Sequence, residues 1–186
     1  PSLISNFASR YPNIRINLIE ENTTQLTELL QKGIVDLILD NTTLDSAIFD
    51  SKLYKEEHLV LAVPHSFSIN SELTSFQIPN DLIERKDFQM DSVPVVPLRL
   101  FSDLPFIMLR NENDTGRRAR LICQDSNFKP NIILNMDQQM TAYNICQSGM
   151  GISFIGDIML SRIPHNHNVV YYKLPAQHNS RRICFY

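Results

Sequence analysis

Apolar and polar residues change their spacing twice between positions 11 and 39 of the chain. Over residues 14–18 they alternate, which predicts a half-buried strand. Over residues 26–30 leucines recur three and four positions apart, which predicts a helix with one apolar face. Residues 34–39 are almost all apolar, which fits a strand buried on both faces. A strand–helix–strand unit of this size predicts a parallel sheet with a right-handed crossover.

Capping residues mark both ends of this predicted helix. Asn22, Thr23 and Thr24 offer side-chain oxygens where a helix leaves its first N–H groups without partners. Lys32 and Gly33 form the pair of a cation followed by glycine that is typical of a helix C-terminus. The helix is therefore expected to occupy the stretch between these two groups.

The rest of the chain continues the alternation of strands and helices, with one irregular stretch. Prolines break up residues 65–104, so no helix longer than about two turns is expected there. Pro64 ends an extended segment, because proline cannot donate to a strand ladder. The other predicted elements are a helix over 1–10, an extended segment over 49–63 with 59–63 buried, an edge strand over 93–100, strands over 106–109, 132–134, 152–155, 169–174 and 182–185, and helices over 117–126 and 137–148.

Composition indicates a globular protein and excludes several classes. Apolar residues make up 43% and charged residues 20% of the 186 positions, which argues against disorder. The longest apolar runs are far shorter than a membrane span. A net charge of −3 lacks the basic footprint of a nucleic-acid-binding surface. Three widely spaced cysteines, Cys123, Cys146 and Cys184, suggest reduced thiols in a cytoplasmic protein.

Two groups of residues on the later helices have a functional and a structural interpretation. Arg117, Arg118 and Arg120 could contact an anion or DNA, but three bases on one helix usually form a solvated face, which we favour. Cys123 and Cys146 could form a redox switch, but each lies on the apolar side of its predicted helix. Packing in the core is the favoured interpretation for both cysteines.

The sequence contains no recognisable catalytic, metal-binding or cofactor-binding pattern. Gly149-x-Gly151 follows a helix and precedes a strand, the reverse of a dinucleotide-binding turn, so a helix end and tight turn are expected. Residues 165–167 hold two histidines, with His178 as a possible third ligand, but a solvated loop is favoured over a metal site. No Gly-x-Ser-x-Gly elbow supports a hydrolase. We therefore predict no enzyme activity, no metal and no cofactor.

Hydroxyl and amide side chains follow three predicted strands. Each such cluster can be explained by helix capping alone. Carboxyl ends of parallel strands share one edge of a sheet, however, and helix N-termini there offer N–H donors to an anion. We therefore predict a site for a small anionic molecule, closed on its far side by backbone near Phe154 and Ile155. The predicted contacts are Asn22, Thr23, Thr24, Thr42, Thr43, Asp114, Thr115 and Gly116.

Four stretches, in this order, carry a resemblance to a known family. The first is F-x-x-x-Y-P over residues 7–12 with the following strand, L-x-x-L-L-x-x-G and V-D-L. The others are LVLAVPHSF over 59–67, PFIMLR over 105–110 with NFKPNIIL over 127–134, and ICQSGMGISFI over 145–155. Together they resemble the effector-binding domain of LysR-type transcriptional regulators, over nearly the whole chain. The family usually has proline after the last of these strands, where this chain has Gly156.

The resemblance implies an α/β fold of two lobes, similar to type 2 periplasmic binding proteins. Each lobe is expected to be a mostly parallel sheet flanked by helices, with an effector bound between the lobes. Lobe I would comprise residues 1–64 and 165–186, and lobe II residues 65–164, with crossovers near 63–66 and 163–168.

The same resemblance implies how such a domain would act in a cell. It implies a bacterial, cytoplasmic regulator that forms a homodimer or homotetramer and does not meet the membrane. Promoter DNA would be bound only through an N-terminal winged helix-turn-helix, which this chain does not contain. Two other classes stay open at this point, a solute-binding protein of a transport system on the same fold and an enzyme on that fold.

Overall fold

The computed structural model describes residues 2–85, 87 and 91–186. The chain divides into two compact units, one extending to Lys52 and including Cys184–Tyr186, the other comprising Leu53–Ile183. The lobe boundaries at 64/65 and 164/165 stay a prediction. None of the helices within the described ranges is long and apolar enough to cross a membrane.

Helices and strands alternate along most of the chain. The helices are α1 (Ser2–Arg10), α2 (Thr23–Gln31), α3 (Ile69–Glu72), α4 (Asn80–Glu84), α5 (Asp114–Asp125), α6 (Gln139–Gln147) and α7 (Asp157–Leu160). The strands are β1 (Leu39–Asp40), β2 (Lys52–Pro64), β3 (Pro105–Leu109), β4 (Asn131–Met136), β5 (Ile152–Gly156), β6 (Val169–Lys173) and β7 (Ser180–Phe185).

The helix ends in the first unit follow the sequence signals. The side chain of Asn22 accepts a hydrogen bond from the Gln25 amide at 3.1 Å, which confirms Asn22 as the N-cap of α2. After the C-cap Lys32, Gly33 has a φ of 65°, a left-handed conformation that glycine adopts without a steric penalty. The predicted helix over 1–10 is confirmed from Ser2 onward, and Pro1 lies outside the described residues.

The two strands predicted around α2 are wrong. Residues 14–18 form no strand, and Ile14 and Leu18 are 52% and 75% exposed. Of residues 34–39 only Leu39 is in a strand, and β1 pairs antiparallel with β7. The apolar pattern satisfies one requirement of a strand, but the backbone also needs a neighbouring strand to bond. The described part of this unit supplies that neighbour for β1 alone, so its predicted parallel crossover is absent there.

The second unit is built on a mixed sheet that contains β7-β2-β5-β3-β4 in this order, with β6 also paired to β2. Strand β3 runs parallel to β4 and β5, whereas β2 runs antiparallel to β5 and β6. The predicted strands of this unit are confirmed, with the exception of the edge strand over 93–100. That stretch forms a 3₁₀ turn at Leu98–Phe101 and a single bridge from Val95 to Lys173, because its prolines cannot donate to a ladder.

Alternate residues of β2 enter two separate cores. Leu59, Leu61 and Val63 pack in a cluster that includes Ile122 of α5. Val60 and Ala62 pack in the other cluster, which includes Tyr143 and Cys146 of α6. Residues 59–63 are wholly buried, as predicted, so this strand holds helices on both faces of the sheet.

All three cysteines are buried and free. The thiol of Cys146 donates to the Ala62 carbonyl at 3.3 Å. Burial raises the pKa of Cys123 and of Cys146 to about 12, because a thiolate is disfavoured away from water. The core-packing interpretation of these two residues is confirmed.

Candidate functional site

In the first unit, one carboxylate joins two of the predicted contact segments. Asp40 lies at the end of β1 and is 9% exposed. Its Oδ2 accepts from the Thr23 hydroxyl at 2.8 Å, and its Oδ1 accepts from the Thr42 amide at 2.9 Å. The structure therefore brings Thr23 and Thr42 together through Asp40.

The start of α2 retains donors for a ligand. Asn22 satisfies the amide of the third helical residue, Gln25, which leaves the first two N–H groups, on Thr23 and Thr24, without an acceptor inside the helix. Thr24 is exposed, as is Thr43 in the loop after β1. These groups can meet a small molecule from solvent, and the positive end of the helix favours an anionic group there.

In the second unit, the side chain of Gln139 connects the start of α5 with the end of β5. Its Nε2 donates to Thr115 Oγ1 at 3.3 Å, and its Oε1 accepts from the Gly156 amide at 3.2 Å. Thr115 is 3% exposed. Gln139, which the sequence did not single out, thus joins Thr115 to Gly156, the residue that follows the predicted 154–155 backbone.

Three other predicted contacts in this unit, Gly116, Phe154 and Ile155, have structural roles. A Cβ at Gly116 would overlap the Leu109 and Arg110 carbonyl oxygens, so this glycine lets α5 approach the end of β3. The side chains of Phe154 and Ile155 are buried in the two cores, and their backbone lies beside β2. Only the backbone of these two positions is available for the role predicted for them.

Asp114 is a partly buried member of an ion cluster whose inner members, Glu57 and Arg118, are buried. Its Oδ2 lies 3.0 Å from Arg181 Nη1 and 3.6 Å from Arg118 Nη1. Glu57 of β2 is the second acid, with Oε2 at 2.6 Å from Arg181 Nε. Arg117 pairs with Asp114 from the exposed side. The charge of Asp114 is therefore compensated inside the protein, so it is not a free repulsive charge in the predicted site.

The solvated-face interpretation is wrong for two of the three arginines on α5. Arg118 is 4% exposed and donates to the carbonyl oxygens of His178 and Asn179. Burial and the neighbouring Arg181 lower the pKa of Arg118. Arg120 donates to the Leu109 and Gly116 carbonyls at 2.7 and 2.9 Å. Both hold α5 against its surroundings, because each guanidinium can serve several carbonyls at once.

The Gly149-x-Gly151 pattern forms a helix end, and the histidines near the C-terminus do not converge on one point. Gly149 has a φ of 91° at the end of α6, which confirms a helix end and turn. The rings of His165 and His167 lie 4.6 Å apart, whereas His178 lies 3.3 Å from Asp125. Over the described ranges, no three His, Cys, Asp or Glu side chains are placed to hold a metal ion.

Three residues that organise these neighbourhoods were not predicted from the sequence as site residues. Asp40 could have been found, because an aspartate two residues before Thr42 is placed for a local side-chain-to-backbone bond. Gln139 and Glu57 could not, because their contacts join segments 17 or more positions apart. Only the three-dimensional arrangement identifies such long-range partners.

The second unit is an α/β sheet with a core on each face. In open sheets of this kind, ligands bind beyond the carboxyl ends of the parallel strands. The chain belongs to the LysR substrate binding domain family, whose model matches residues 1–186. Among curated proteins, it is 27% identical over 187 residues to the HTH-type transcriptional regulator YcgK of Bacillus subtilis, covering 100% of this chain and 55% of that protein. It is 24% identical over 155 residues to the HTH-type transcriptional regulator BenM of Acinetobacter baylyi, covering 83% of this chain and 45% of BenM. The chain thus spans about half the length of these relatives.

Solved structures share the fold at low sequence identity. The Synechocystis CcmR regulatory domain in complex with 2-PG has a TM-score of 0.72 at 16% identity, with 100% of this chain and 79% of that chain covered. The BenM effector binding domain with its effector benzoate has a TM-score of 0.68 at 21% identity, with 100% and 75% covered. At these identities the likeness establishes the periplasmic-binding-protein-like fold of effector-binding domains, which confirms the predicted fold class.

Proposed function

We propose that this chain is the effector-sensing regulatory domain of a bacterial, cytoplasmic LysR-type transcriptional regulator and catalyses no reaction. The observation that carries the proposal is the family match along residues 1–186. The relatives are HTH-type transcriptional regulators, which supports a regulator over a transport solute-binding protein or an enzyme. Effector binding would shift the population of conformations towards the one that binds it better.

The proposed effector is a small organic molecule with one carboxylate. The first-turn amides of α2 supply donors, whereas the Asp40 carboxylate beside them disfavours a multiply charged anion. A relative supports the class, since the BenM effector binding domain is described with benzoate. The proposed contacts are those predicted from the sequence, Asn22, Thr23, Thr24, Thr42, Thr43, Asp114, Thr115, Gly116 and the backbone of Phe154 and Ile155, with Asp40 and Gln139 as positioning residues.

A ligand screen followed by one substitution tests the proposal. Thermal-shift screening of small aromatic and aliphatic carboxylates identifies an effector, and calorimetric titration then measures its affinity. Thr115→Val removes the hydroxyl beside Gln139 and should weaken binding by about 1–3 kcal/mol. Thr141→Val on α6 is the control for the same chemical change. Thr141 is partly buried and is not among the proposed contacts. Equal affinities in all three proteins would show that Thr115 is not a contact.

The proposed partners are a second copy of the chain and, through another part of the full-length protein, promoter DNA. Light scattering at concentrations of tens of micromolar should show a dimer, as for a modest specific interface. A gel-shift with the regulated promoter should show no specific retention by residues 1–186 alone, because their net charge is −3. Specific retention by these residues would contradict the assignment of DNA binding to another segment.

A further inference from the structure

We propose that the second unit contains an additional binding site, for a neutral polyhydroxylated small molecule such as a sugar or cyclitol. The site is a cavity of about 530 Å³ between the segment that follows β2 and the segment that leads into β6. That volume lies within the range of roughly 300–1,000 Å³ that is usual for small-molecule pockets. None of its lining residues is among the proposed effector contacts, so the inference stands independently of the proposed function.

Two hydroxyl groups on one wall of the cavity, those of Ser71 and Thr74, use their protons inside the protein and can still accept hydrogen bonds from a ligand. The Ser71 hydroxyl donates to the Ser68 carbonyl at 2.7 Å, and the Thr74 hydroxyl donates to the Ser71 carbonyl at 3.1 Å. A hydroxyl has one proton and two lone pairs, so each retains acceptor capacity after donating. A ligand that complements this wall must therefore bring its own O–H or N–H groups.

The floor of the cavity is held in one arrangement by amide side chains. Asn70 is 7% exposed and donates to the Pro64 carbonyl at 2.8 Å, while its Oδ1 accepts from the Tyr172 hydroxyl at 2.7 Å. Gln77 Nε2 donates to the Asn70 carbonyl at 2.7 Å. Because these amide side chains are bonded inside the protein, the floor is pre-organised.

The charge of the lining excludes strongly ionic ligands. Among the described residues that line the cavity there is no lysine, arginine, aspartate or glutamate, and the basic side chains are His65, His165 and His167. A carboxylate or phosphate would meet no permanent cation, and an amine would meet no carboxylate. Ile78, Ile83 and Val169 supply an apolar surface on which the C–H face of a ring can pack. Uncharged hydroxyl and amide groups beside an apolar wall match a neutral polyol, which both donates and accepts hydrogen bonds.

An NMR titration of the unmodified protein distinguishes the ligand classes. The probes are myo-inositol, ribose and glucose, with acetate and inorganic phosphate as anionic comparators. The imidazole resonances of His65, His165 and His167 report on the cavity, and that of His178, which lies beside Asp125, reports on a distant surface. At least one polyol should shift the cavity resonances in a saturable manner and leave His178 unchanged. No saturable shift with any polyol, or tighter binding of acetate or phosphate there, would overturn the proposal.

A pair of variants tests the acceptor wall. Ser71→Ala with Thr74→Val removes two acceptors. The Kd of the responsive polyol should rise about tenfold, which corresponds to the loss of one weak hydrogen bond at each position. Ser148→Ala is the matched control, because its hydroxyl also donates at 2.7 Å to the carbonyl three residues earlier. Unchanged affinity in the double variant, or an equal loss in the control, would overturn the assignment of this wall. Should the double variant fail to fold, the titration of the unmodified protein still decides the ligand class.

Discussion

The carboxylate of Glu57 occupies the space where Gly156 would carry a side chain. A Cβ built on Gly156 would lie 2.6 Å from Glu57 Oε1 and 2.8 Å from its Cδ. The two residues belong to the neighbouring antiparallel strands β2 and β5, in which Leu59 faces Gly156. Glu57 reaches from there to Arg181 and Arg118. Glycine, where the family resemblance leads one to expect proline, therefore leaves room for the acid of a buried ion cluster.

Gly156→Ala should destabilise the protein more when Glu57 is present than when it is absent. Overpacking of this kind costs about 1–3 kcal/mol, because the carboxylate must move from its partners. A double-mutant cycle with Glu57→Ala, measured by urea unfolding, should show a smaller penalty for Gly156→Ala in the Glu57→Ala background. The same penalty in both backgrounds would show that the close approach to Glu57 is unimportant.

Two adjacent arginines of α5 should differ greatly in their contribution to stability. Both pair with Asp114, but the Arg118 side chain is 5% exposed and that of Arg117 is 57% exposed. Arg118→Met removes a positive charge that faces Glu57 and Asp114. It should lower the free energy of unfolding by about 3–5 kcal/mol. Arg117→Met should cost under about 1 kcal/mol, because exposed pairs are screened by water. Equal midpoints for the two variants in urea unfolding would contradict this account of the cluster.

Cys123 and Cys146 should be unreactive towards a thiol reagent in the folded protein. Their pKa values near 12 mean that almost no thiolate exists at neutral or mildly alkaline pH, and both side chains are buried. Labelling with a chromogenic disulfide at pH 8 should be slow until denaturant is added. Ser148→Cys, at an exposed position, is the positive control and should react at once. Rapid native labelling at Cys123 or Cys146 would revive a redox role.

The same pKa shifts predict a loss of stability in alkali. The folded state holds the two thiol protons more tightly than the unfolded state, whose thiols have the ordinary pKa of 9.0. Their contribution is fully present below pH 9 and falls as the pH rises towards 12, because the unfolded state then releases protons first. Urea midpoints measured from pH 8 to pH 11 should decline less in a Cys123→Ala variant. A parallel decline would assign the effect to other groups.

Gln139 should influence effector affinity through Thr115 and Gly156. Gln139→Leu removes both hydrogen bonds of the side chain, whereas Gln139→Glu keeps an acceptor for the Gly156 amide. Calorimetry should show a loss of about 1–3 kcal/mol for Gln139→Leu and a smaller one for Gln139→Glu. Gln138→Leu, next to it and exposed, serves as the control. If Gln138→Leu and Gln139→Leu lose equal affinity, the effect does not depend on the bonds to Thr115 and Gly156.

The strands of the second unit were predicted well, because the segments with a strand pattern have neighbouring strands to pair with in the fold. Residues 59–63 are apolar and find strands on both sides, so the buried strand forms as predicted. Ile14 and Leu18 show an equally regular alternation, but the described chain offers no strand for them to pair with. Periodicity reports which face a segment could bury. It does not report whether another segment is present to cover it.

The candidate site was predictable only as far as local chemistry extends. Asn22 as an N-cap and Gly33 as a helix end follow from short-range rules that hold in isolation. Arg118 illustrates the opposite case, because its neighbours Glu57 and Asn179 lie about 60 positions away on either side. Charge along a helix predicts solvent exposure unless distant partners of opposite charge enclose it, and such partners leave no local pattern.

The double pairing of β2 bears on how long individual amide protons should survive in heavy water. Residues 60–62 are bonded to β5 on one side and β6 on the other, with a core on each face. Their amides can exchange with deuterium only when the whole unit opens, so they should be among the last to do so. Residues 14–18, exposed and outside any ladder, should exchange within the dead time of the measurement. A deuterium map would therefore show a chain whose slowest protons lie in the inner strands of the second unit, β2 among them.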